Sequence, residues 1–185
     1  MTSHEIRQRF LDFFAKRGHT IIDPAPLVTP DEAGATNATL FNTSGMQSLI
    51  PFLMGEEHPA GQRLADAQPC IRTVDIDEVG DNTHATMFEM LGNWSLGDYF
   101  KREAIEWSYE FLTSADEGLG LDPSRLYITI FGGNDAVPVD DESREIWKEL
   151  GVPADRIYER TSKDNWWTAG HNSPAGPSTE MFYDL

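Results

Sequence analysis

Ile6, Phe10, Phe13 and Phe14 recur at the three- and four-residue spacing of one helical face. Thr2 and Glu5 just ahead of them make a capping-box pattern, so a helix is expected from the N-terminus to a stop at Gly18. Pro24, Pro26 and Pro30 then impose an extended or looped passage. Residues 39–42 read as a short strand leading to Gly45, followed by a short helical run ended by Pro51, and the polar stretch 55–68 reads as a loop. Cys70-Ile71-Arg72 and 86–90 suit two strands joined by an acidic turn, with Gly92 and Gly97 bracketing a second turn. Phe100, Ala104, Trp107 and Phe111 predict a helix over about 101–113. Leu126-Tyr-Ile-Thr-Ile-Phe131 is rich in β-branched and aromatic residues and predicts a central strand. Asp141 caps a helix through Leu150 that Gly151 ends, and 157–159 and 180–183 are further strands. Helices placed between non-adjacent strands, with hairpin-like pairing around 70–90, predict an α+β fold with a mainly antiparallel sheet.

Composition changes this picture little, and charge changes it more. At 185 residues, 39% hydrophobic and 24% charged, the chain suits one sizeable domain. A net charge of −17 excludes a domain that holds nucleic acid by blanket charge neutralisation, although RNA can still be met at one end. No apolar run approaches bilayer length, the first residues are polar, and Cys70 is the single cysteine. A cytoplasmic protein with no membrane partner and no internal disulfide is the expectation.

The candidate chemistry is concentrated in three stretches. Arg72 can offer a planar fork of donors to a phosphate, and the Phe88 ring can face a purine; each alone is equally an edge residue and a core residue. Period-two geometry puts Phe88 and Met90 on one face and Glu89 on the other. Asp75, Asp77, Glu78 and Asp81 form either a solvated turn or, with His84, a site for a divalent ion and a metal-dependent hydrolase. Trp94 and Trp107 read as core, and His4, His19 and His58 as surface residues. In the third stretch, Asp164-Asn-Trp-Trp167 precedes a Gly/Pro-rich loop that empties into Glu180-Met-Phe-Tyr183. Such paired tryptophans form either a packed wall or a small apolar pocket with room for a methyl group.

The run Thr86-Met-Phe-Glu-Met-Leu-Gly-Asn-Trp94, with Cys70-Ile-Arg72 ahead of it, resembles motif 2 of the class II aminoacyl-tRNA synthetases in its alanine-specific form. The opening helix with Lys16-Arg-Gly-His19, Leu40-Phe-Asn-Thr-Ser-Gly-Met46 at motif 1, Asp164-Asn-Trp-Trp167 and Gly176-Pro-Ser-Thr-Glu180 match further segments in the family's order. The resemblance implies ATP and Mg²⁺, activation of alanine to alanyl-adenylate, and transfer to tRNA(Ala). It implies that Arg72 is the catalytic contact to the α-phosphate. ATP would be bound by Arg72, Phe88, Glu89, Met90 and Glu180, and the alanine pocket would be walled by Trp167 and Met46. It also implies that residues 1–185 are the N-terminal portion of one catalytic domain, truncated before motif 3. Two departures stand out: the loop around Val74 and Asp75 is shorter than the family's and has no lysine, and Ala175 and Ser178 stand where cysteines are usual. The alternative is a non-catalytic, synthetase-like module that binds adenosine nucleotide or aminoacyl-adenylate.

Overall fold

A computed structural model describes residues 1–28, 40–73, 76–81, 84–170 and 173–185. Pro30, Thr39, Val74 and Asp75, which carry expectations above, lie outside the described residues. Two compact units make up the chain, Met1–Asp98 and Tyr99–Leu185.

The first unit begins with helix α1, Ser3–Lys16. Both halves of its capping box form: the Glu5 N–H donates to Thr2 Oγ1 (3.2 Å), and the Thr2 N–H donates to Glu5 Oε2 (2.6 Å). Phe10, Phe13 and Phe14 are buried, and Gly18 turns the chain with a φ of 82° that a residue with a Cβ rarely adopts. Strand β1, Thr20–Ile21, runs parallel to β2, Arg63–Ile71, and β3, Met87–Ser95, pairs antiparallel with β2. The β2–β3 register is unbroken from Arg63↔Ser95 to Ile71↔Met87. Directly opposed residues share a face. Leu64, Asp66, Gln68 and Cys70 therefore stand with Trp94, Gly92, Met90 and Phe88, while Pro69 and Glu89 stand on the other side, where Arg7 of α1 meets Glu89.

Several expectations are corrected in this unit. The stretch 55–68 is loop only to Gln62, because β2 starts at Arg63. Its polar residues Asp66 and Gln68 are buried and hydrogen-bonded within the strand. Gln68 accepts the Ala25 N–H (2.7 Å) and donates to the Ala25 carbonyl (3.0 Å), and Asp66 accepts the Trp94 indole N–H (3.0 Å). Gly92 lies inside β3 rather than in a turn, since the Trp94 indole and the Asp66 carboxylate fill the space where its Cβ would stand. Pro51 opens rather than ends a short helix, α2, Ile50–Leu53, where its missing N–H has no partner to lose. Around 40–42 the structure has a single antiparallel bridge, Val28↔Phe41, instead of a strand. His19 is buried, its ring edge-on to Phe14 and Nδ1 3.1 Å from the Phe14 carbonyl oxygen; burial lowers its pKa.

The second unit is built around β4, Leu126–Phe131. Helices α3, Lys101–Thr113, and α4, Asp141–Glu149, supply Ile105, Ile146 and Trp147 to a core closed by Ile128, Ile130, Val152 and Ile157. The α4 cap is Asp140, one residue before the expected position; it accepts the Ser143 N–H. Strand β5, Ile157–Arg160, is parallel to β4, and β8, Thr179–Tyr183, is antiparallel on its other side. A small hairpin, β6 (Trp166–Thr168) with β7 (Ala175–Pro177), lies between them in the chain. Antiparallel pairs outnumber parallel ones among the described strands, as the α+β reading expects.

Candidate functional site

In the first unit the ladder leads directly to Arg72. Its N–H bonds the Thr86 carbonyl (2.9 Å), continuing the β2–β3 pairing by one step, so its side chain emerges on the Cys70–Phe88 face. The guanidinium lies 5.4 Å from the centre of the Phe88 ring, and Nε donates to the Thr43 carbonyl (3.0 Å). Among the described residues no carboxylate comes within ion-pair distance of it. In a chain with 31 Asp and Glu against 14 Lys and Arg, that freedom leaves its charge available to an anion. Phe88 is half-buried.

The Asn42–Gln47 segment is held against the same end of the ladder. The Ile71 N–H donates to the Asn42 carbonyl (2.9 Å), and Gln47 Oε1 accepts from the Thr43 backbone (2.9 Å) and hydroxyl (3.1 Å). The Gly45 N–H points at Met90 Sδ (3.3 Å), and a Cβ on Gly45 would come within 3.0 Å of the Trp94 ring. A glycine suits this close approach of the segment to Met90 and Trp94, and the next residue, Met46, is half-buried. Beneath them Asp66 is 2% exposed; burial raises its pKa and the Trp94 N–H pulls the other way. Burial likewise raises the Cys70 thiol.

Glu89 is separated from Phe88 by the sheet. Arg7 holds it through two guanidinium nitrogens, Nε at 2.9 Å and Nη2 at 2.7 Å from Oε2. Asp77, Glu78 and Asp81 occupy an exposed turn around the 3₁₀ segment Ile76–Glu78, with His84 contacting both Glu78 (2.9 Å) and Asp81 (2.5 Å). Asp75 lies outside the described residues, and among the described residues no group of three His, Cys, Asp or Glu side chains is arranged to hold a metal ion.

Trp167 and Glu180 belong to the second unit. Trp166 packs on Phe131 with ring centres 5.4 Å apart, so period-two geometry turns Trp167 to the opposite side, where it is 37% exposed. Asn165 organises this corner. Its Nδ2 donates to the Ser178 carbonyl (3.0 Å), and its own carbonyl accepts the Ser178 N–H (3.0 Å). Ser178 Oγ in turn donates to Glu180 Oε1 (3.2 Å), leaving the exposed Glu180 carboxylate with lone pairs to spare.

The residues that the sequence did not assign to the site are Thr43, Gly45, Asp66, Trp94 and Asn165. Gly45 and Asn165 fall within quoted motifs and could have been marked as a close approach and a buried anchor. Asp66 and Trp94 carry no local signal, because their pairing spans two strands.

A family model described as tRNA synthetases class II (A) matches residues 5–185. Similar curated proteins include an alanine–tRNA ligase of Treponema denticola, 50% identical over all of this chain and 30% of the relative. One from Treponema pallidum is 51% identical over 97% of this chain and 29% of the relative, and one from Rubrobacter xylanophilus 49% over all of this chain and 20% of the relative. The chain thus spans between a fifth and a third of the length of these relatives. No described helix is long and apolar enough to cross a membrane.

Proposed function

Because this chain belongs to the class II tRNA synthetases, we propose that it carries the ATP- and alanine-binding part of an alanine–tRNA ligase. The observation that carries this reading is the Arg72 guanidinium, with no carboxylate within ion-pair distance among the described residues, set beside the half-buried Phe88 ring. Arg72 grips the α-phosphate of ATP with charge-assisted hydrogen bonds while Phe88 stacks on adenine. Met90, on the Phe88 face of the strand, is a further ATP contact, and Met46 and Trp167 are contacts to alanine. Glu89 remains a further ATP contact in this reading, on the opposite face of the strand from Phe88, where Arg7 engages it.

The alanine carboxylate attacks the α-phosphorus in line and pyrophosphate leaves, giving alanyl-adenylate; the alanyl group then passes to the terminal ribose of tRNA(Ala). Two anions must approach, so fixed cationic donors supply most of what the step needs from the protein. Magnesium, when bound, would add phosphate charge neutralisation. The setting for this chemistry is the cytoplasm.

The test is alanine-dependent ATP–pyrophosphate exchange by the protein that carries this chain at the length of its relatives. Exchange that requires alanine is the expected result. Binding of a non-hydrolysable alanyl-adenylate analogue without exchange would instead select a non-catalytic adenylate-binding module. Failure to bind the analogue would overturn both.

A further inference from the structure

Thr43 is held differently from the residue before it. Asn42 is tied to main chain on both sides: its N–H donates to the Leu27 carbonyl (2.8 Å) and its carbonyl accepts from Ile71 (2.9 Å). Thr43 is tied through side chains. Its N–H donates to Gln47 Oε1 (2.9 Å), its hydroxyl donates to the same oxygen (3.1 Å), and its carbonyl accepts from Arg72 Nε (3.0 Å). One amide oxygen thus pins, twice, the residue whose carbonyl receives the arginine.

Gln47 is firmly seated. It is 9% exposed and opens the 3₁₀ turn Gln47–Leu49, whose last residue, Leu49, is 3% exposed and leads into α2. A buried amide oxygen is expensive to leave without donors, so its two bonds to Thr43 persist. At the far end of the relay a guanidinium is a flat fork. A carbonyl on Nε sets the rotation of that plane, and the Phe88 ring, 5.4 Å from its centre, bounds one side. With Nε engaged, the two Nη nitrogens form the edge left for a two-bond grip on a phosphate, and among the described residues no acceptor occupies it.

We propose that Gln47 is a positioning residue for adenylate formation: acting through Thr43, it fixes the Arg72 guanidinium with its Nη edge set for the α-phosphate before ATP arrives. The inference rests on the adenylate-forming reading of Arg72. A preset guanidinium loses less side-chain freedom on binding. In-line attack is also sensitive to placement, and a misplacement of about 1 Å can cost about 10²-fold in rate. A Gln47 that only filled space beneath the segment would affect folding and leave the behaviour of Arg72 unchanged.

The experiment uses the protein that carries this chain at the length of its relatives, and it has two arms. Without ligand, isotope-labelled arginine should show an Arg72 Nε–H resonance, identified by its absence from Arg72→Lys, that exchanges slowly with solvent. Gln47→Met should speed that exchange about tenfold or more, whereas Gln47→Glu, which keeps an acceptor for Thr43, should leave it slow. Thr43→Val removes only the hydroxyl bond and should give a change of about twofold to threefold, which serves if Gln47→Met does not fold. In the second arm, Gln47→Met should bind a non-hydrolysable alanyl-adenylate analogue about tenfold more weakly in calorimetry. In an Arg72→Lys background, which keeps the charge but has no Nε–H, the same change should matter less than about twofold. Unchanged Nε–H exchange in Gln47→Met and Thr43→Val would overturn the proposal. So would an equal loss of binding in both backgrounds, which would make Gln47 a packing residue. A wild-type protein that does not bind the analogue would sink the adenylate-forming reading instead, and the Nε–H exchange would then decide by itself whether Gln47 sets Arg72.

Discussion

The two faces of the β2–β3 ladder each carry an arginine, and they treat it in opposite ways. On the α1 side Arg7 is clamped by Glu89, which satisfies its donors and fixes the helix to the strand. On the other side, among the described residues, Arg72 meets a carbonyl and the Phe88 ring and no carboxylate. The first arrangement spends the charge on a partly exposed ion pair between helix and strand. The second keeps a full positive charge on a rigid strand end, where each phosphate oxygen it meets adds a charge-assisted bond. Beneath that second face lie buried polar groups, Asp66 and Gln68, where the α1 side has Ala65 and the three phenylalanines. One ladder thus separates a structural face from the one proposed to meet a ligand. The distinction lies in what each arginine is paired with rather than in residue type.

Substitutions on each face can break this contrast. Phe14, 1% exposed and in ring contact with Phe10, Phe13 and His19, belongs to the structural side. Phe14→Ala should cost about 3–5 kcal/mol in denaturant unfolding. On the ligand side, Arg72→Ala should weaken binding of an alanyl-adenylate analogue by about 1.5–3 kcal/mol in calorimetry, with the melting midpoint nearly unchanged. A large drop in midpoint with intact binding would make Arg72 a structural residue like Arg7. Phe88→Leu should raise the ATP requirement by about 1 kcal/mol, roughly fivefold, again with little change in melting; a destabilised protein with normal ATP binding would rule out stacking. Arg7→Ala should cost at most about 1 kcal/mol, shrinking in high salt, because both partners are about one-third exposed.

The smallest effect, and one of opposite sign, is expected at Asp66. Burial raises its pKa, so the folded protein retains a proton that the unfolded chain releases. Its contribution is complete below the ordinary aspartate range and is lost as pH climbs through the raised value. Asp66→Asn keeps an acceptor for the Trp94 N–H and removes that loss. Melts across pH should show a gain at neutral pH that disappears in acid, and an equal gain at all pH values would refute the assignment to Asp66 titration.

The elements legible in the sequence are those whose signals are local. The capping box and phenylalanine spacing of α1, the apolar period of α3 and the β-branched run of β4 all sit where the pattern puts them. The elements that escaped depend on partners far along the chain. β2 reads as a polar loop because Asp66 and Gln68 find their partners on β3 and at Ala25. Gly92 reads as a turn because only the indole two residues on, folded back over it, shows why a glycine is needed there. His19 reads as surface because its cover is the side of α1 that precedes it.

The sequence alone determined the family, the helices and strands with short-range periodicity, and the identity of Arg72, Phe88, Trp167 and Glu180 as candidates, since ordered motifs and spacing are one-dimensional information. Only the tertiary structure decided which face of β3 each residue occupies, that Glu89 is bound by Arg7 across the sheet from Phe88, and which arginines stand without a carboxylate. Pairing is settled by distance in space, and an ion pair 82 residues apart in sequence leaves no trace in the spacing of either partner.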